Sequence, residues 1–257
     1  DDGLMVKLIW LIPLLPLMGT VINGLLGLYT NRVLGRKLNK TFVHAVAVGV
    51  VAAAFLLSLA CFVELLGMDS RSVEVTLFQW IPGGKLATSQ GPMSMTVDWS
   101  YQLDPLSAVM ILVVTGVGLI IQIYSTGYMW SDTGYYRFFT YMNLFMCAML
   151  TLVLGANFLV MFVGWEGVGL CSYLLIGFYF EKKSAGDAGK KAFIVNRIGD
   201  AGFLLGIMLI FSYFGSMDFT EVFERISPLP AEAGFGILSL IGLCLFVGAT
   251  GKSAQIP

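Results

Sequence analysis

Seven long apolar runs alternate with short polar or charged turns along this chain, and the pattern predicts a bundle of membrane-spanning helices. The runs lie at about Leu8–Leu28, Phe42–Leu66, Leu106–Tyr124, Phe138–Leu154, Asn157–Phe180, Ala192–Phe214 and Ala233–Gly251. A helix rises about 1.5 Å per residue, so a run near twenty residues crosses a hydrocarbon layer of roughly 30 Å. Strands of a membrane barrel would be shorter and would alternate apolar with polar, which these runs do not.

Local signals punctuate the runs. Asp104-Pro105 reads as an N-cap followed by proline at the first helical position and opens the third span. Between the second and third spans, Val73–Trp80 and Met95–Trp99 are rich in β-branched and aromatic residues and surround Pro82-Gly83-Gly84, which predicts a small hairpin outside the membrane. The aromatic stretch from Tyr128 to Tyr141 suits an interfacial belt. The first run is longer than a signal peptide's core and lacks a small-x-small cleavage site, so it counts as a retained span. Asp1-Asp2-Gly3-Leu4 precedes Met5, which reads as a natural start.

Charge orients the bundle. Arg32, Arg36, Lys37, Lys40, Arg137, Lys182, Lys183, Lys190 and Lys191 fall in turns on one side, against Arg71, Lys85 and Arg225 on the other. The positive-inside rule then places the N-terminus outside. Composition agrees with a membrane protein: 57% of residues are hydrophobic and 12% charged, against about one-quarter charged in soluble domains. A net charge of -1 offers no electrostatic footprint for nucleic acid. Cys61, Cys147, Cys171 and Cys244 lie singly in apolar runs without metal-ligand spacing, and read as small buried hydrophobes. His44, the only histidine, sits at the mouth of the second span near Lys40, a place for a solvated or capping role.

Four charged residues lie well inside the apolar runs or directly after the last of them. Glu166 lies near the middle of the fifth, where an ionised carboxylate costs at least a few kcal/mol and normally has a partner or a water-filled cavity. A protonated acid bonded between helices is the plainer alternative. Arg197 and Asp200, three residues apart in the sixth span, could pair locally, and Arg197 could also snorkel. Lys252 follows Gly248-Ala249-Thr250-Gly251 and precedes Pro257, as expected where a helix is interrupted inside a membrane around an ion path. A snorkelling lysine is its alternative. Gly251-Lys252-Ser253 completes the end of a phosphate-binding loop, but Phe246 occupies the required first glycine and the preceding run is too long for the strand. If Glu166 and Lys252 stood ~7 Å apart at an effective dielectric of ~20, their interaction would be roughly 2 kcal/mol, enough to move a proton.

The segments Gly164–Phe178, Lys190–Asp200 and Gly248–Gln255, with Asp104–Ser107 and Tyr136–Phe139, closely resemble the L (ND5-type) subunit of proton-pumping NADH:quinone oxidoreductase, respiratory complex I. The resemblance covers essentially the whole chain. It implies an all-α membrane protein of about seven spans with the seventh broken near Lys252, two spans and an outer loop over 1–103, and the first half of an antiporter-like core over 104–257. It implies that Glu166 and Lys252 belong to the proton-translocation machinery, with Arg197 and Asp200 tuning it or linking neighbouring subunits. It further implies no cofactor in this chain, with FMN, iron–sulfur clusters and quinone in partner subunits. The implied partners are other complex I subunits, above all the neighbouring antiporter-like one, in a bacterial inner membrane; a mitochondrial inner membrane comes second. Family members continue with a second inverted half, whereas this chain stops at Pro257, so a fragment truncated within the core is expected. Two rival readings are the large subunit of a multisubunit cation/proton antiporter, and an assembly scaffold whose buried charges serve packing alone.

Overall fold

The computed structural model describes residues 3–68, 71–88, 91–94, 96–230, 232 and 234–253. After a 3-10 turn at Val6–Leu8, α1 spans Leu11–Arg32 and α2 Lys40–Leu66. Four strands follow: β1 Val73–Ile81, β2 Lys85–Thr88, β3 Gly91–Ser94 and β4 Val97–Leu103. The remaining helices are α3 Pro105–Tyr128, α4 Tyr135–Leu154, α5 Phe158–Ile176, α6 Lys183–Phe214, α7 Phe219–Ile226 and α8 Ile237–Ser253. Among the described residues, six helices are long and apolar enough to cross a membrane, counting the first from Val6, and α8 is a shorter apolar helix of 17 residues. This is a multi-pass membrane protein.

Helix ends follow the local chemistry. Asp104 accepts from the Ser107 backbone N–H at 2.7 Å while the Ser107 hydroxyl accepts from the Asp104 N–H at 2.8 Å, with Pro105 between them. This reciprocal box satisfies two donors that α3 would otherwise leave bare. Asn39, not His44, caps α2. His44 instead meets the Tyr135 hydroxyl at 3.0 Å. Glu232 caps α8 from a distance, accepting from the backbone N–H groups of Leu238 and Ser239 at 2.9 and 3.0 Å.

Three details depart from the sequence reading. The basic segment after α5 is mostly not a turn: α6 starts at Lys183, because charge by itself does not stop a helix and the stretch holds no proline, its Gly186 and Gly189 being carried within the long helix. Arg197 and Asp200 therefore lie near the middle of its 32 residues. The acidic stretch after α6 contains α7, amphipathic and capped by Asp218, with Val222 buried and Phe219 packed edge-on against Phe158 at 4.6 Å. The hairpin is longer than expected: β1 pairs antiparallel with β4, and β2 with β3, so Pro82-Gly83-Gly84 bends the ribbon between β1 and β2 rather than forming its tip. α8 is helical through Ser253, and the break expected near Lys252 concerns 254–257, which lie outside the described residues.

The loops assigned to the outer side meet one another. Ala156 N–H donates to Ser100 O, Phe158 N–H to Met217 O, and Phe219 N–H to Ala156 O. Asn157 caps α5 through Val160 N–H and reaches Asp98 O with its amide at 2.8 Å. At the other end Lys40 reaches Trp130 O, and Arg137 donates to Phe178 O at 3.1 Å. Both groupings match the sidedness read from charge.

Inside the bundle, α1 packs on α2 and α4, α2 on α3, and α4 on α5; α5 then leans on α6, and α6 lies along α8. Side-chain amides bridge helices within the apolar interior: buried Gln122 donates to Asn143 Oδ1 at 2.7 Å, and buried Asn23 to Val43 O at 3.0 Å. Such bonds hold helices together where burying apolar surface supplies no drive, since lipid is equally apolar.

Candidate functional site

Small residues decide which helices come close. A Cβ at Gly199 would stand 3.2 Å from Gly248 O and from Gly251 Cα, so α6 and α8 touch backbone to backbone one turn above Lys252. On α5, a Cβ at Gly164 would strike the Leu152 backbone and one at Gly167 would meet Ala148 at 2.8 Å, which presses this face of the helix onto α4. Glu166 lies on the other side of α5, facing α6. A Cβ at Gly169, one turn on, would collide with the Lys252 Nζ. The site is therefore a three-helix junction built where glycines replace side chains.

The four charges converge there, but not in the expected pairs. Arg197 Nη1 lies 2.5 Å from Glu166 Oε2 and 3.9 Å from Asp200 Oδ2. The local Arg197–Asp200 pair is thus the looser one, and the partner of Glu166 is Arg197 rather than Lys252. The reason is geometric: residues three apart on one helix share a face, yet a long guanidinium reaches a neighbouring helix just as easily, and Asp200 is already engaged. Its Oδ1 accepts the Trp165 indole N–H at 2.8 Å. Asp200 is buried, while the Arg197 side chain is half exposed at the edge of the bundle.

Lys252 behaves differently from all three. Its Nζ is buried and has no hydrogen-bond partner among the described residues. It sits 5.5 Å from the centre of the Trp165 ring, a cation–π contact worth up to about 2 kcal/mol when desolvated. Asp200 and Glu166 act on it electrostatically without touching it. Two carboxylates and two cations make a formally neutral set, so adding or removing one proton unbalances it, and in a low dielectric the other members feel the imbalance.

Trp165 is the residue that the sequence reading missed. It adjoins Glu166 in an apolar run, where an aromatic ring reads as filler, and only its indole N–H marks it as a partner for a buried carboxylate. Its ring stacks on Phe203 at 4.8 Å and 19°, and Phe203 on Phe162 at 5.9 Å and 14°. The cysteines are distributed through the helices, Cys61 and Cys171 buried, Cys147 and Cys244 half-buried, all as free thiols.

Outside the membrane, a second polar region forms where β1, β4, the α4–α5 link and α7 meet. A cavity of about 650 Å³ is lined there by Glu74, Asp98, Asp218, Glu221 and Arg225 among others. Partial burial, then the charges of Asp218, Asp98 and Glu221, pushes the Glu74 carboxyl above its ordinary value, against the opposing hydrogen bond from Ser100. Burial raises Asp218 as well, despite the cap bonds that favour its ionised form.

Comparison with known proteins shows what the chain is similar to. Residues 155–257 match the family model described as NADH:quinone oxidoreductase/Mrp antiporter, and residues 91–139 match the one described as NADH-ubiquinone oxidoreductase (complex I), chain 5 N-terminus. NADH-quinone oxidoreductase subunit L of Mycobacterium tuberculosis is 41% identical over 250 residues, 96% of this chain and 36% of the relative. The protein of the same name from Rickettsia felis is 42% identical over 249 residues, again 96% of this chain and 36% of the relative. NAD(P)H-quinone oxidoreductase chain 5 of a Synechocystis species is 37% identical over 261 residues, 99% of this chain and 36% of the relative. The chain thus spans just over a third of the length of these relatives. A chain in the Mrp complex of a Dietzia species has the same fold, with a TM-score of 0.70 at 23% identity over 96% of this chain and 24% of its own. Residues 155–257 thus match the NADH:quinone oxidoreductase/Mrp antiporter model, and the similarity to subunit L of the complex I chain 5 type extends over 96% of this chain.

Proposed function

We propose that this chain forms part of a proton-translocating membrane-arm subunit of NADH:quinone oxidoreductase, coupling electron transfer from NADH to quinone to proton movement. One observation carries the reading: the three-helix junction holds Glu166 paired to Arg197, with a buried, unpaired Lys252 in electrostatic range. Arg197 stands within reach of two carboxylates, close to Glu166 and 3.9 Å from Asp200. Transfer of the guanidinium from Glu166 to Asp200 leaves Glu166 uncompensated, so that Lys252 becomes its nearest source of positive charge. Return of the guanidinium removes that pull and frees the lysine to give up its proton. A shift of a few ångström in one side chain thereby becomes a change in proton affinity at another.

In this reading the chain carries no cofactor, and FMN, iron–sulfur clusters and quinone belong to partner subunits. The adjacent antiporter-like subunit is the closest partner, and the bacterial inner membrane the location. The test replaces Glu166 by Gln in the full-length subunit within the assembled complex. Proton transport per NADH oxidised should fall while assembly persists; an unchanged ratio rules the role out.

The likeness of fold to an Mrp complex chain favours a second reading, the large subunit of a multisubunit cation/proton antiporter. The company kept separates the two. Copurification with flavoprotein and iron–sulfur subunits supports the first, and cation/proton exchange without NADH oxidation supports the second.

A further inference from the structure

Trp165 touches two of the four charges, and these two do not touch each other. Its indole N–H donates to Asp200 Oδ1 at 2.8 Å, and the Lys252 ammonium lies over its ring, 5.5 Å from the centre. The ring is itself held, stacked on Phe203, which comes from the same helix as Asp200. A Cβ at Gly248, one turn before Lys252, would strike Phe203, so α8 lies directly against this stack.

We propose that Trp165 is a positioning residue for proton translocation, acting as a spacer that holds Lys252 and Asp200 in register and prevents them from closing into a direct ion pair. The proposal rests on the translocation reading given above. A lysine and an aspartate facing each other in a low-dielectric junction attract strongly, and once in contact, with hydrogen bonds made, both stay charged. A lysine locked in this way cannot release its proton. The indole prevents this by two directional contacts. Its N–H takes the Asp200 oxygen that would otherwise be free to turn, and its π face offers the ammonium an attractive seat that accepts no proton. Attraction to a ring face is electrostatic and spread over many atoms, so a lysine there can lose its charge without leaving a broken hydrogen bond behind. Glu166, the next residue along, is thereby held on the same turn as the spacer.

The proposal separates the N–H from the ring, and the test does the same. In the full-length subunit within the assembled complex, Trp165 is replaced by Phe, and separately by 3-benzothienylalanine, an indole isostere of the same size with sulfur in place of the N–H. Each is made with and without Asp200→Asn, and Lys252→Met is measured alongside. The isostere should lower proton transport about tenfold, the scale of one hydrogen bond to a charged group, and should have no further effect once Asp200 is Asn. Trp165→Phe should behave in the same way or worse. A packing role instead predicts that the isostere transports like the wild type, or that its loss multiplies with that of Asp200→Asn; either result overturns the proposal. If Trp165→Phe fails to assemble, the isostere still decides. If Lys252→Met transports normally, the translocation reading itself fails; if only the isostere transports normally, the spacer alone fails.

Discussion

Arg197 on α6 reaches across to Glu166 on α5, Nη1 to Oε2 at 2.5 Å, although Asp200 lies one turn away on its own helix. That choice of partner leaves Lys252 without an ion pair and gives the junction its capacity to switch. It also makes Arg197 the residue whose loss should be felt most directly by Glu166.

Arg197→Gln removes the only cation in direct contact with Glu166 among the described residues. Proton transport per NADH oxidised is expected to fall about tenfold or more, equivalent to at least roughly 1.4 kcal/mol on the limiting barrier. Arg197→Lys should recover part of it, since an ammonium keeps the charge but loses the planar fork that can face two carboxylates. Measuring transport in inverted membrane vesicles checks both, and wild-type transport in Arg197→Gln would show that the pair is ornamental to function.

Gly169→Ala tests the seat of Lys252 without altering any charge. The added methyl would collide with the Lys252 Nζ and push a flexible side chain off the Trp165 ring, whereas Gly242→Ala on α8 meets nothing within 4 Å. Assembly should survive in both. Transport should drop severalfold in the first and stay at wild-type level in the second, the cost of displacing a group by about an ångström from its working geometry being of this order or larger.

The outer carboxylates make the junction between β1 and α7 sensitive to pH. Glu74 and Asp218 both have folded-state values raised above the ordinary 4.5 and 3.8. The folded form therefore holds more protons than the unfolded one between those values and the raised ones. Stability from this source is fully present below pH 4.5 and 3.8 respectively, and is lost as pH rises through the raised values. Hydrogen exchange of the amides in β1 and at the start of α7 should accordingly show stronger protection on the acid side of this window, after correction for the intrinsic rate. Glu74→Gln should flatten the response, and an unaltered pH dependence in that variant would remove Glu74 from the account.

Much of the architecture could be read before any tertiary contact was known. The apolar runs located the spans, Asp104-Pro105 marked the start of α3 to the residue, and the β-branched stretch from Val73 located β1. These features are local: burial in lipid, a cap and a turn each act within a few residues. The same locality misplaced the start of α6 and hid α7, because charge alone does not stop a helix and an amphipathic turn of eight residues resembles a polar loop.

By itself, then, the sequence determined that this is a helical membrane protein and which four side chains, Glu166, Arg197, Asp200 and Lys252, carry charge into its apolar interior. Only the tertiary structure decided their relations: Glu166 with Arg197, Asp200 with Trp165, and Lys252 with a ring face rather than a carboxylate. The physical reason lies at the crossings. Hydrophobicity and capping specify each helix separately, but the partner of a buried charge depends on how closely two backbones approach. That distance is set here by Gly164 and Gly167 against α4 and by Gly199 against Gly248 and Gly251, contacts between residues far apart in the chain.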